Sequence, residues 1–181
     1  MGRGALCGPV VAGAVILGRA FDTEGLDDSK RLTRRQRERQ AERIQAGADA
    51  WALGIAEVEE IDRLNILEAT RLAMLRAVEA LDVRPDALLV DAMVLPLVEM
   101  KQVSIVKGDA RSVTIAAASI VAKVARDGMM QEWDRSLPGY GLARNMGYGS
   151  EFHRDALRRL GPSSIHRRSF RGTTQGWLLG S

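Results

Sequence analysis

The chain has 181 residues, 46% of them hydrophobic and 27% charged, with a formal net charge of +3. That is enough for one domain with a real core, or one domain with a small appendage, and it excludes a disordered chain. No apolar run nears the ~20 residues that cross a bilayer, and the single cysteine, Cys7, forms no internal disulfide, so a soluble cytoplasmic protein is expected.

In chain order, Val10 to Leu17 is short, apolar and largely β-branched, which predicts a buried strand. Gly13 interrupts it, and it lacks the basic leader of a signal peptide. Gly25 to Ser29 is a turn in which Asp27, Asp28 or Ser29 is placed to cap a helix over 30–47. From Lys30 to Arg43 seven Lys and Arg stand against Glu38 and Glu42, a local charge of +5. Trp51 to Val58 predicts a second strand. Ile61, Leu64, Leu67, Leu72, Leu75, Val78 and Leu81 then follow the spacing of one buried helical stripe. Ala87 to Asp91 and Gln102 to Val106 are short apolar strands.

Ser112 to Met130, rich in alanine, predicts a closely packed helix. Leu137 to Ser150 carries four glycines and a proline and reads as a loop. Ser150 caps a helix to about Leu160, which Gly161-Pro162 ends, and the last ten residues form a frayed tail. From Glu151 to Arg171 six Arg face Glu151 and Asp155, a local +4, which leaves −6 for the rest of the chain. Two basic blocks around an acidic middle point to a polyanion partner, though a solvated helix face explains the first block equally well. Strands alternating with helices argue for an α/β fold with mixed strand direction.

Asp91 ends a buried strand, where open α/β sheets place their ligands. Asp109 lies just past the next strand, so two adjacent strands would bring both carboxylates to one sheet edge. Hard oxygen donors without clustered Cys or His favour Mg²⁺ or Mn²⁺ over zinc. The alternative for Asp91 is a helix N-cap or a strand-end carboxylate in water, and for Asp109 it is capping of the Ser112 helix. Gly2-Arg3-Gly4 would let backbone N–H groups approach a phosphate or sugar, or would be a flexible terminus. Tyr148, between Gly147 and Gly149, is free to stack on a base or to contact a 2′-OH, whereas Tyr140 reads as a loop anchor packed on the core. His153 and His166 lack metal-ligand spacing and a neighbouring nucleophile, and no catalytic role is assigned to them.

These segments, in this order, resemble ribonuclease HII. The matching stretches are Gly2-Arg3-Gly4 with Gly8-Pro9-Val10-Val11, Asp28-Ser29-Lys30, Asn65-Ile66-Leu67, Leu89-Val90-Asp91 and Lys107-Gly108-Asp109. They continue with Ala117-Ala118-Ser119-Ile120 and Ala122-Lys123, Gly139-Tyr140-Gly141, Gly147-Tyr148-Gly149, and Ile165-His166-Arg167-Arg168-Ser169-Phe170. The resemblance implies a ribonuclease H-like mixed sheet flanked by helices, with a catalytic domain over 1–135 and a helical C-terminal segment over 136–181 for substrate binding. It implies cleavage of the RNA strand of RNA–DNA hybrids, and of single ribonucleotides in duplex DNA, as in DNA repair, by a monomer. Asp91 and Asp109 match two of the family's four carboxylates, which hold Mn²⁺ or Mg²⁺. Gly2, Arg3, Gly4 and Tyr148 match the elements that recognise the 2′-OH at an RNA-to-DNA junction. Ser29 and Lys30 match phosphate-contacting positions.

The chain departs from the family pattern at its start. The family's Asp-Glu pair stands one residue before Gly-Arg-Gly, and Met1 is that intervening residue here. The expectation is a reading frame started late, with these residues alone inactive or nearly so. Two other readings remain: a non-catalytic hybrid-binding protein, and a small nucleotide-binding module using Gly2 to Gly8 as a phosphate loop.

Overall fold

The computed structural model describes residues 1–173. The elements in order are β1 (Val10–Ile16), α1 (Arg34–Gly47), β2 (Ala50–Ala56), α2 (Val58–Leu64), α3 (Ile66–Glu79), β3 (Ala87–Asp91) and β4 (Lys101–Ile105). A 3-10 turn at Gly108–Ala110 leads to α4 (Val113–Ser136), α5 (Leu142–Asn145) and α6 (Glu151–Leu160). Among the described residues no helix is long and apolar enough to cross a membrane.

The chain forms two compact units. The first contains Met1, Val11–Ile55 and Arg71–Val124. In it β1 pairs with β2, and β3 pairs with β4 in parallel, with Asp91 opposite Ile105. One core cluster gathers Val15, Ala41, Ile44, Ala117, Ile120 and Val121. Ile44 and Ile120 are completely buried, each stabilising the unit by about 1.5–3 kcal/mol on area grounds. A second cluster holds Leu88, Val90, Met93 and Leu95. Leu88 and Val90 point inward while Ala87 and Leu89 are exposed, and this alternation leaves Asp91 half-buried at the strand end.

The second unit contains Gly2–Val10, Ala56–Thr70 and the chain from Ala125 onward. Its core is Leu6, Cys7, Met130, Tyr140, Leu142, Ala156 and Leu157. Ser150 caps α6 as expected, its hydroxyl accepting the His153 N–H, and Gly161 follows the last turn.

Several expected boundaries move. The helix expected over 30–47 starts at Arg34, because Thr33 and Gln36 form a reciprocal capping box. Asp27 and Asp28 cap nothing: their carboxylates accept the N–H groups of Asp28 and Lys30 inside the turn. Val58 opens α2 instead of ending β2. The stripe from Ile61 to Leu81 covers two helices, broken at Asn65, whose φ is 74° and whose side chain accepts the N–H groups of Leu67 and Glu68. The α4 helix runs on to Ser136, and the loop over 137–150 contains the single turn α5. Of the expected frayed tail, Thr173 is buried and donates its N–H to Phe170 O; residues 174–181 lie outside the described residues.

Candidate active site

In the first unit Asp91 is the last residue of β3, and Asp109 follows the end of its parallel neighbour β4. The Gly108 N–H donates to Asp91 Oδ1 at 2.9 Å. A Cβ on Gly108 would stand 2.6 Å from Ile115 Cδ1 and 3.3 Å from that same carboxylate oxygen, so a larger residue here would have to displace the Ile115 side chain. Ala92 and Lys107 hold left-handed φ values of 52° and 56°, a conformation costing about 1 kcal/mol or more for a residue with a Cβ. The strained positions flank the two carboxylates. Neither carboxylate acts as a helix cap: Asp91 takes the Gly108 amide, and Ser112 Oγ is what accepts the Ile115 N–H at the start of α4.

Lys30 Nζ donates to Asp109 Oδ2 at 3.0 Å, with Asp28 Oδ1 at 3.9 Å from the same ammonium. The Asp109 hydrogen bond raises the Lys30 pKa against the opposing effect of partial burial, and the fields of Asp109, Asp28 and Asp91 add to it. The Lys30 side chain is 70% exposed, so the pair contributes little to stability; it keeps a solvent-exposed cation against the carboxylates. Ser29 is completely buried, with its hydroxyl 3.0 Å from Ser119 Oγ, and its carbonyl accepts Arg37 Nη1. Ser29 and Arg37 thereby anchor the turn that presents Lys30. Much of the basic block is engaged in this way: Arg34 pairs with Glu38 and Arg43 with Asp22, each at 2.8 Å. Of its arginines, Arg31, Arg34, Arg35 and Arg39 are exposed, while Arg37 and Arg43 are half-buried.

Asp91 and Asp109 offer hard, anionic oxygens, with Asp91 Oδ2 and Asp109 Oδ1 clear of the hydrogen bonds just described. That donor set fits Mg²⁺ or Mn²⁺, which complete their shells with water and phosphate oxygens.

The second unit joins two segments far apart in sequence, around residues 5 and 148. Ala5 and Tyr148 form an antiparallel bridge, and Leu6 N donates to Gly147 O at 2.8 Å. Gly2 is buried while Arg3 and Gly4 are exposed, and the Tyr148 side chain is 41% exposed. Beneath them lie two fully buried arginines that sequence reasoning missed. Arg126 Nε donates to Pro9 O at 3.0 Å, Nη1 to Met146 O at 2.9 Å and Nη2 to Cys7 O at 3.0 Å. Its guanidinium also lies 5.7 Å from the Tyr148 ring centre. Gly2, at φ 85°, is required here, since a Cβ would meet Arg126 Nε at 2.1 Å. Arg167 donates to Gly8 O through Nε and Nη2, to Pro9 O through Nη2 and to Arg3 O through Nη1. Burial lowers the pKa of both, with Arg167 brought down to about 10, which leaves Arg167 cationic at neutral pH. The available signal for Arg126 was a lone arginine among the apolar residues of an expected packed helix.

Tyr140 is the expected anchor: it is buried, and its hydroxyl donates to Gly161 O at 2.7 Å. The two histidines, 13 residues apart in sequence, come together beside Cys7, with ligand-type atoms of all three within 4.8 Å of one another. Burial pushes the Cys7 thiol up to about 12 and the His166 imidazole down to about 4, so neither carries charge at neutral pH.

The description of the ribonuclease HII family matches residues 1–173. Ribonuclease HII of Desulfitobacterium hafniense (strain Y51) is 56% identical over 169 residues, which is 93% of this chain and 65% of that relative. The chain thus spans less than two thirds of that relative's length. Among solved structures, ribonuclease H2 from Pyrococcus horikoshii OT3 superposes with a TM-score of 0.80 at 28% identity, covering 97% of this chain and 92% of that one. Bst-RNase HIII in complex with Mn²⁺ gives a TM-score of 0.74 at 19% identity, covering 97% and 66%, a likeness of fold. The α/β architecture is the ribonuclease H-like fold expected from the sequence.

Proposed function

The chain belongs to the ribonuclease HII family, and on that premise we propose that the protein is a cytoplasmic endoribonuclease acting on RNA–DNA hybrids and on single ribonucleotides embedded in duplex DNA. The observation that carries this reading is the placement of Asp91 at the end of β3 and Asp109 just past its parallel neighbour β4, with Lys30 against Asp109. Asp91 and Asp109 would hold Mg²⁺ or Mn²⁺. Divalent ions held by these two together with the further carboxylates that the family resemblance implies would supply an activated water and stabilise the leaving 3′-oxygen. Water adds to phosphorus and the bond from phosphorus to the ribose 3′-oxygen breaks, leaving a 3′-hydroxyl and a 5′-phosphate.

The remaining residues bind and orient. Lys30 exchanges its carboxylate partner for a backbone phosphate, while the exposed arginines after Glu151 supply further charge. In the second unit the Gly2-Arg3-Gly4 backbone and the Tyr148 hydroxyl read the ribose 2′-OH, the group that separates RNA from DNA. The buried arginines hold these segments in register, which supports a reader preorganised before substrate arrives.

Replacing Tyr148 by Phe tests the assignment. Discrimination between a ribonucleotide and a deoxynucleotide at the junction should weaken by about 1–3 kcal/mol, the cost of leaving a polar partner unpaired. Unchanged junction preference would remove the hydroxyl from the reading.

A further inference from the structure

His153 and His166 are buried, and their Nε2 atoms are 3.0 Å apart. The hydrogen-bond partners fix where the protons lie. Ser163 N–H points at His166 Nδ1 from 3.0 Å, so that nitrogen is an acceptor and the proton of a neutral His166 sits on Nε2. Nε2–H therefore donates to His153 Nε2. His153 then carries its own proton on Nδ1 and donates it to the Tyr148 carbonyl at 3.0 Å. Each ring nitrogen has one role, and the assignment closes without a charge. Both Nε2 atoms are turned to each other, which reads as a hydrogen bond and not as two ligands converging on a cation beside Cys7. The other polar groups packed there are the Ser163 hydroxyl, 2.8 Å from His166 Nδ1, the Cys7 thiol, and Tyr140, whose ring centre is 4.9 Å from that of His166 and whose hydroxyl is held by Gly161 O.

The end of this chain is the residue proposed to read the sugar. Tyr148 lies between two glycines, so its backbone needs outside support. Its N–H donates to Asn145 O, and its carbonyl accepts both Ser150 N–H at 2.8 Å and His153 Nδ1–H. His153 stands in the first turn of α6, with its own N–H capped by Ser150 Oγ, so its ring height is set by the helix.

We propose that His153 is a positioning residue for Tyr148, kept in its donating tautomer by His166, so that the imidazole pair sets ribonucleotide specificity without touching substrate. The proposal rests on the assignment of Tyr148 as the 2′-OH reader. It also gives Ile165-His166 a task that the motif alone does not reveal.

The test uses the full chain. Histidine ¹⁵N NMR should show His153 protonated on Nδ1 and His166 on Nε2; reversed tautomers, or a shift of both Nε2 signals on adding Zn²⁺, would overturn the pair. Binding is measured to a duplex with one embedded ribonucleotide and to its all-deoxy counterpart, and the ratio of affinities is the readout. His153→Phe, which keeps bulk and removes the donor, should cut that ratio about tenfold, as expected when a reader group shifts by a fraction of an ångström. His153→Asn, with an amide N–H near the place of Nδ1, should restore most of it. Adding His153→Phe to Tyr148→Phe should cause no further loss. Equal losses in the Phe and Asn variants, or full additivity with Tyr148→Phe, would overturn the proposal. If Tyr148→Phe lowers the ratio and His153→Phe does not, the relay fails while the reading of Tyr148 stands. If neither lowers it, the reading of Tyr148 fails and takes the relay with it.

Discussion

Replacing Arg126 by Met keeps the aliphatic bulk of a side chain that is 1% exposed and removes every donor. Three carbonyls lose a charged N–H: Pro9 O, Met146 O and Cys7 O, at 3.0, 2.9 and 3.0 Å. Pro9 O keeps Arg167 Nη2 at 3.2 Å, so two carbonyls bear most of the loss. A hydrogen bond to a charged group contributes about 1.5–3 kcal/mol, which sets a gross loss of about 3–6 kcal/mol. Relief from burying a guanidinium offsets part of it. The expected net destabilisation is about 3 kcal/mol, or a fall in Tm of about 6–12 °C for a chain of this size. The assay is thermal unfolding beside binding to a duplex with one embedded ribonucleotide. Because Gly2 packs on Arg126 and the Tyr148 ring lies under its guanidinium, affinity should fall further than the loss of folded protein explains. A variant with native Tm and native affinity would refute the clamp.

Lys30→Gln should leave stability within about 0.5 kcal/mol, as an exposed ion pair allows. It should weaken duplex binding and lower the salt slope by about one charge, checked by titration at several salt concentrations. Folding should also depend on pH through the histidine pair. His166 falls to about 4 in the fold from 6.5, and His153 also falls, so below pH 6.5 the unfolded chain binds more protons. The pair's contribution is complete above about pH 6.5 and declines as pH drops toward 4. Unfolding midpoints across that window should fall less steeply in His166→Gln than in the native chain; parallel curves would contradict it.

The carboxylate end of the site was legible because a strand-end Asp and a Lys-Gly-Asp turn each follow a short apolar run. Their partnership with Lys30 was not legible as a contact, since 79 residues separate Lys30 from Asp109. Apolar spacing found the α2–α3 region but not its break, because the stripe continues across Asn65, where a side-chain cap makes the turn. The basic block looked like a phosphate surface by charge alone; Arg37, turned onto the Ser29 carbonyl, and Arg43, paired with Asp22, serve the fold. The histidines were set aside for want of ligand spacing, a criterion that cannot see a neutral hydrogen-bonded pair. Arg126 and Arg167 were hidden for a similar reason: their partners are backbone carbonyls, which leave no trace in side-chain pattern.

The central claim is that Asp91 and Asp109 carry the cleavage chemistry. It is tested most directly by cutting a duplex with one embedded ribonucleotide in Mn²⁺, comparing the full-length protein with its Asp109→Asn variant under matched folding. Nicks at the ribonucleotide with 3′-hydroxyl and 5′-phosphate ends are expected, and a rate lower by several powers of ten in the variant once a metal-holding carboxylate is gone. Equal cleavage by the two proteins would contradict it.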